Sequence, residues 1–108
     1  MTKVQIFRHD GAYSSFCCSG HADYAEEGSD IVCAGISAIV INTVNCLTDL
    51  CKEDPEIDYS EADGDIVCNF RTKPGKEAAF LIDCMIHGFD WIISSYGKKY
   101  LSYEIKEV

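Results

Sequence analysis

The sequence lacks several features that mark specialised classes of protein. No run of about 18 consecutive apolar residues occurs, so we expect no transmembrane helix and no membrane partner. The segment MTKVQIFRHD is charged and has no apolar centre, so no secretory signal is expected. Prolines number only two, and no segment has the composition of a linker. The 108 residues, 47% of them hydrophobic, therefore predict one globular domain over residues 1–108.

Basic residues are scarce. Nine Lys and Arg stand against eighteen Asp and Glu, and the formal net charge is -9. This balance disfavours nucleic acid as a direct partner, because phosphate binding requires a basic patch. It permits a basic partner, such as a ribosomal protein or a cationic peptide. Solubility alone explains the charge equally well, so the composition leaves both interpretations open.

The chain contains cysteines but no recognisable cysteine motif. The chain has seven of them, an odd number, and no CxxC. Together with the missing secretory signal, this predicts free thiols in a reducing cytoplasm rather than a disulfide framework. No His–Cys spacing matches a zinc site and no cofactor fingerprint occurs, so neither a metal nor a cofactor is expected. Most of the thiols should be small buried hydrophobes, with Cys33 as the exception at an element boundary.

Turn dipeptides and alternating hydrophobic residues predict two β-hairpins and a final strand. Asp10-Gly11 marks the first turn, and the strand after it covers residues 12–19. Asp63-Gly64 marks the second turn, within IDYSEADGDIVCNF. The alternation in YLSYEIKEV predicts the last strand.

Helical spacing of apolar residues predicts a helix after each hairpin. The first runs from Val32 to about Lys52, and the second follows Pro74-Gly75 and ends at Gly97. The first helix is apolar over most of its surface, so it should be covered by the sheet and by a second helix or a second subunit. The order ββαββαβ predicts an α+β fold with a mostly antiparallel sheet packed with two helices.

An acidic connector, residues 21–32, separates the first hairpin from the first helix. It contains Glu26, Glu27 and Asp30, with Gly28 and Ser29 as points of flexibility. Its charge predicts a solvated, mobile loop at the surface.

His21 and Cys33 lie at the two ends of this connector. Cys33 falls in the first turn of the predicted helix, where unpaired backbone N–H groups favour a nucleophilic thiolate. A histidine that follows a strand can reach both solvent and a neighbouring side chain, and an imidazole suits general base catalysis. The simpler interpretations are a surface histidine and a buried cysteine. A pairing of Cys33 with His87 also stays open.

Residues near Cys33 are candidates to assist this chemistry. The N–H groups of Cys33, Ala34 and Gly35 are candidate oxyanion donors, and Gly35 would let a substrate backbone approach closely. Asp30 has two interpretations. It orients His21, or it caps the helix by accepting from a backbone N–H, which would take an oxyanion donor away.

The block GHA followed by GSDIVCAGIS resembles the ribosomal-processing cysteine protease family Prp, and the likeness extends over the whole chain. The resemblance implies that His21 is the catalytic histidine and Cys33 the nucleophile. Gly20, Asp30 and Ser37 match other positions of the motif, and we treat them as candidates for substrate contact.

The resemblance also implies a function. Members are bacterial, cytoplasmic homodimers that remove the N-terminal extension of one large-subunit ribosomal protein, number twenty-seven. Cleavage is expected after a hydrophobic, aromatic-containing motif, with the connector closing over the extended peptide. Two alternatives stay open: a non-catalytic module that binds a ribosomal protein through an acidic surface and a sheet edge, and a redox-sensing thiol protein.

Overall fold

The computed structural model describes residues 1–26, 30–60 and 63–108. The strands are β1 Thr2–His9, β2 Ala12–Ser19, β3 Glu56–Tyr59, β4 Ile66–Asn69 and β5 Leu101–Glu107, and the helices are α1 Ile31–Asp49 and α2 Lys76–Tyr96. The predicted order ββαββαβ and the α+β class are confirmed. The connector residues Glu27, Gly28 and Ser29, predicted as part of a mobile loop, lie outside the described residues.

The five strands form one sheet in the order β3-β4-β2-β1-β5. Three neighbouring pairs are antiparallel, and β1 pairs with β5 in parallel. The first hairpin turn is built by Asp10 and Gly11, which take positive φ values of 49° and 78°. The parallel pair requires a long crossover, which α2 provides between β4 and β5. The sheet is therefore mostly antiparallel, as predicted, and its open edges are β3 and β5.

One hydrophobic core lies between the helices and one face of the sheet. Alternate strand residues point into it, such as Val4 and Ile6 of β1. The helices contribute Val32, Ile36, Val40, Val44 and Leu47 from α1, and Ala78, Ile82, Met85, Phe89 and Ile92 from α2. Burial of each large side chain stabilises the fold by about 1.5–3 kcal/mol. Because Val32 and Ile36 are both 2% exposed, the first turn of α1 is held firmly against the sheet.

The end of α1 differs from the prediction. The predicted end at about Lys52 lies slightly beyond the observed one, since α1 stops at Asp49 with Leu50 as its C-cap. Lys52 takes a left-handed φ of 58°, which turns the chain away from the helix axis and toward β3. Cys51 therefore lies beyond the helix and is half-buried.

Both helices are more apolar than their packing against the sheet requires. By length and composition alone each could cross a membrane, with mean hydropathy of 1.9 for α1 and 1.2 for α2. This is weak evidence, because core helices meet the same criteria and both helices pack one face into the core. Ile41, Leu50, Phe80 and Trp91 stay exposed, at 41%, 75%, 66% and 63%. These side chains are available to a second subunit.

Candidate active site

A cleft of about 340 Å³ opens where β2 ends and α1 begins. Its walls contain both members of the predicted catalytic pair, and the full lining is His21, Asp23, Ala25, Asp30, Cys33, Ala34 and Ser37. The structure therefore brings together residues that the acidic connector separates in the sequence. Asp23 and Ala25 were not predicted to line this cleft.

The position of Cys33 is fixed by its buried neighbours Val32 and Ile36. Cys33 is half-buried in the first turn of α1, packs against the core, and still lines the cleft. His21 is exposed and follows the end of β2. In the described part of the chain, no hydrogen bond joins the imidazole to the thiol.

The two buried thiols, those of Cys18 and Cys68, are poor nucleophiles. Burial, reinforced by Cys17, Asp65 and Cys33, raises the pKa of Cys18 to about 11. Burial also raises the pKa of Cys68 to about 11. Both thiols therefore stay protonated at neutral pH, and a thiol is a weaker nucleophile than a thiolate. All seven cysteines are free, and Cys33 is the one that lines the cleft.

Asp30 caps α1, which is one of its two predicted interpretations. Its Oδ1 accepts a hydrogen bond from the Cys33 N–H at 2.8 Å, and its backbone oxygen accepts from the Ala34 N–H at 3.1 Å. Two of the three N–H groups predicted as oxyanion donors are thus occupied in the unbound form. An oxyanion could use the Cys33 N–H only after the Asp30 carboxylate has released it.

The same carboxylate also holds the connector. Asp30 Oδ2 accepts from the N–H groups of Tyr24 at 2.9 Å and Ala25 at 3.3 Å. Desolvation raises the pKa of Asp30, but the N–H groups of Cys33, Ala25, Tyr24 and Val32 outweigh it, so the pKa lies below its ordinary value of 3.8. The described part of the connector is therefore fastened to α1, rather than being free as the sequence suggests.

An aromatic cluster holds the connector on its other side. The Tyr24 ring meets Tyr96 and Tyr100 edge-on, with centroid distances of 5.6 and 5.1 Å. The ring centroids of Trp91 and Tyr96 are 6.4 Å apart. Edge-to-face pairs contribute about 0.5–1.5 kcal/mol each. The rings come from three separate segments, so local sequence patterns gave no signal for this cluster.

Gly20 positions His21 rather than lining the cleft. Its φ is 85°, its N–H donates to Asp65 Oδ1 at 3.2 Å, and a Cβ built there would lie 2.7 Å from the Met1 carbonyl oxygen. Only glycine fits both the left-handed conformation and the close approach. The predicted substrate contact of Gly20 stays a prediction, and the turn gives the residue an independent structural role.

The remaining candidates fall into two groups. Ala34 and Ser37 are exposed and line the cleft. Gly35 does not line it in the described structure, and a Cβ there would lie 4.0 Å from Ile92 of α2. His87, the alternative partner of Cys33, is exposed on α2 and is not among the lining residues described for the cleft.

The sequence profile of the family Cysteine protease Prp matches residues 1–101. The chain belongs to the Prp family. It is 32% identical over 99 residues to the ribosomal processing cysteine protease Prp of Staphylococcus aureus, covering 91% of this chain and 93% of that protein. The Bacillus subtilis Prp is 36% identical over 80 residues, which cover 74% and 71% of the two chains.

A solved structure of a Prp shows the same architecture. The essential ribosomal processing protease Prp from S. aureus, in complex with a covalently linked product peptide, superimposes with a TM-score of 0.90 at 31% identity, over 98% of this chain and all of that one. The match confirms the predicted fold. As a member of the Prp family, this chain is a cysteine protease.

The close approach at Gly20 generates a stability prediction. Gly20→Ala adds a clash with the Met1 carbonyl to the strain of a left-handed alanine, which costs about 1–2 kcal/mol. Gly11→Ala is the matched control, because its φ is 78° and nothing lies within 4 Å of a Cβ there. Urea denaturation should show that Gly20→Ala loses more unfolding free energy than Gly11→Ala. Equal losses would contradict the steric role of Gly20.

The lowered pKa of Asp30 generates a pH prediction. Its carboxylate stabilises the fold above the ordinary value of 3.8, and this contribution is lost as the pH falls through the lower folded value. Asp30→Ala should cost about 0.5–2 kcal/mol at neutral pH, the usual range for an N-cap. In urea denaturation at several pH values, the difference from wild type should shrink below pH 3.8. Asp49→Ala, at the other end of α1, is the control for the loss of one negative charge. If the difference in unfolding free energy between wild type and Asp30→Ala is the same at every pH, the prediction is contradicted.

Proposed function

We propose that this protease removes the N-terminal extension of a bacterial large-subunit ribosomal protein, number twenty-seven, by thiolate attack with a Cys33–His21 dyad. The observation that carries the proposal is the cleft that contains both side chains at the start of α1. The S. aureus relative, a ribosomal processing protease captured with a covalently linked peptide, supports peptide cleavage by the same fold.

The proposed reaction begins with proton transfer from the Cys33 thiol to the His21 imidazole. The thiolate attacks the scissile carbonyl carbon and forms a tetrahedral oxyanion. His21 then protonates the leaving amine, and the remaining thioester is hydrolysed by water.

Asp30 links binding to chemistry in this proposal. Its carboxylate occupies the Cys33 N–H, so substrate must displace it before that group can stabilise the oxyanion. An oxyanion-hole donor contributes roughly 2.7–4 kcal/mol in other proteases. Because the same carboxylate binds Tyr24 and Ala25, its displacement also releases the connector. The released connector can bring His21 to Cys33 and close over the peptide.

We also propose that the protein acts in the cytoplasm as a homodimer. Seven free thiols suit a reducing compartment. The exposed Leu50 and Phe80 flank one open depression between the end of α1 and the start of α2. Apolar side chains at such exposure are typical of a surface covered in an oligomer.

Cleavage of the extended ribosomal protein tests the dyad. Cys33→Ala should lower the cleavage rate by roughly 10⁴-fold or more, because the nucleophile is removed. His21→Ala should lower it by roughly 10²–10⁴-fold, the range for a general base. The measurement is the rate at which the shortened product appears by mass spectrometry.

Two exposed residues of α2 provide matched controls. Cys84→Ala and His87→Ala remove the same chemical groups outside the cleft, and both variants should cleave at the wild-type rate. Cleavage by Cys33→Ala would refute the assignment of the nucleophile. Loss of cleavage in His87→Ala, with activity kept in His21→Ala, would assign the base to α2.

Sedimentation velocity tests the dimer. Wild type should sediment as a species of twice the 12.0 kDa chain mass. Phe80→Asp should shift it toward the monomer, because a carboxylate would have to be buried in the interface. Lys98→Asp is the control for an added carboxylate at another exposed position. A monomeric wild type at micromolar concentration would contradict the proposal.

A further inference from the structure

We propose that β3 is a docking strand for an extended segment of the protein substrate in which apolar and basic residues alternate. The inference rests on the proposed function, because it assigns a second part of the substrate to a surface outside the catalytic cleft. It concerns the edge strand β3, which is separated from β2 by β4 alone and contributes no residue to the described lining of the cleft.

β3 has one unpaired side. Among the residues that the structure describes, it pairs with β4 alone, and all four of its residues, Glu56–Tyr59, are exposed. An open edge accepts another extended chain through main-chain hydrogen bonds. The other edge, β5, contains Lys106, which forms an ion pair with Glu104 at 3.3 Å. Lysine on an edge strand discourages added strands, and β3 has none.

The helix-facing side of β3 is apolar and uncovered. Ile57 lies opposite Cys68, and Tyr59 lies opposite Ile66. Residues opposite one another in an antiparallel pair share a face, and Cys68 and Ile66 both belong to the core. Ile57 and Tyr59 therefore point toward the helix layer, yet they remain 39% and 50% exposed. Apolar side chains of an added strand would extend the core across them.

The other side of β3 is acidic. Glu56 and Asp58 alternate with the apolar pair, and residues 53–65 contain seven of the eighteen acidic residues and no Lys or Arg. Arg71 lies 3.8 Å from Glu56, at the limit of an ion pair, and both are largely exposed. An incoming strand with basic residues at every second position would match this face.

Charge also identifies the occupant. A second copy of this chain docked edge to edge would bring two acidic segments together, and like charges across paired strands are destabilising. A basic polypeptide removes that repulsion. The cationic substrate is therefore the occupant that fits, and self-association belongs to another surface.

The register connects this edge to the active site. Tyr59 pairs with Ile66, and Ile66 pairs with Cys18, one residue before the end of β2. Asp65 Oδ1 accepts a hydrogen bond from the N–H of Gly20, the residue directly before His21. A peptide paired with β3 would lie three strand spacings from β2, which is about 14 Å. About four residues of extended chain cover this distance. The docking segment should therefore lie several residues from the scissile bond.

Binding of two synthetic peptides tests the inference. A fluorescein-labelled decapeptide of alternating Lys and Val is compared with one in which all Lys precede all Val, using Cys33→Ala protein to prevent cleavage. Fluorescence anisotropy should give a Kd about fivefold lower for the alternating peptide, because only its side chains match both faces of β3. Equal Kd values would overturn the docking strand, since charge alone would then explain binding.

Variants of the strand locate the binding. Asp58→Lys should raise the Kd of the alternating peptide about tenfold, because an attraction becomes a repulsion. Asp49→Lys makes the same change of charge at the far end of α1 and should change the Kd less than twofold. Tyr59→Ser should abolish the preference for the alternating peptide. Equal effects of the two lysine substitutions would overturn the inference.

Cleavage kinetics separate this inference from the proposed function. On the extended ribosomal protein, Asp58→Lys should raise KM and leave kcat unchanged, and a short peptide spanning only the cleavage site should be unaffected. Cleavage with an unchanged KM would overturn the docking strand and leave the proposed function intact. If the peptides bind as expected but the ribosomal protein is not cleaved, the docking strand stands and the proposed substrate is wrong.

Discussion

The carboxylate of Asp30 holds the active-site end of the molecule together. One oxygen caps α1 at Cys33, and the other accepts from the backbone of Tyr24 and Ala25. The interaction is strong because an ionised acceptor meets several N–H groups at the positive end of a helix. Through it, the described part of the connector is fastened to the start of α1, beside Cys33.

This arrangement places His21 and Cys33 in one cleft, with no hydrogen bond between them in the described residues. The core fixes Cys33 through Val32 and Ile36, whereas His21 is exposed at the end of β2 and is not hydrogen bonded to the thiol in the described structure. In the proposed mechanism, the carboxylate that stabilises the start of α1 also occupies an N–H group that the oxyanion would use. Stability of the fold would then compete with catalysis at Asp30, and substrate would shift the balance.

Some features of the site could be predicted from short stretches of sequence. Asp10-Gly11 located the first turn, and the periodicity after Val32 located α1, because these signals reflect backbone preferences within a few residues. Asp30 was recognisable as a possible cap for the same reason. The Tyr24 cluster was not predictable, since its partners Tyr96 and Tyr100 are remote in sequence and meet only through the packing of α2 and β5. The exposure of Ile57 had no local signal either, because it depends on where the helix layer ends.

The sequence by itself determined the order of the elements, the single α+β domain and the two residue types placed at the ends of the connector. Turn geometry and hydrophobic periodicity are local, so they act before any long-range contact forms. Only the tertiary structure decided the strand order, the parallel β1–β5 pair and which surfaces remain open. It also decided which of its two interpretations Asp30 adopts in the unbound form. These outcomes depend on the packing of distant segments into one core, which no short stretch of the chain specifies alone.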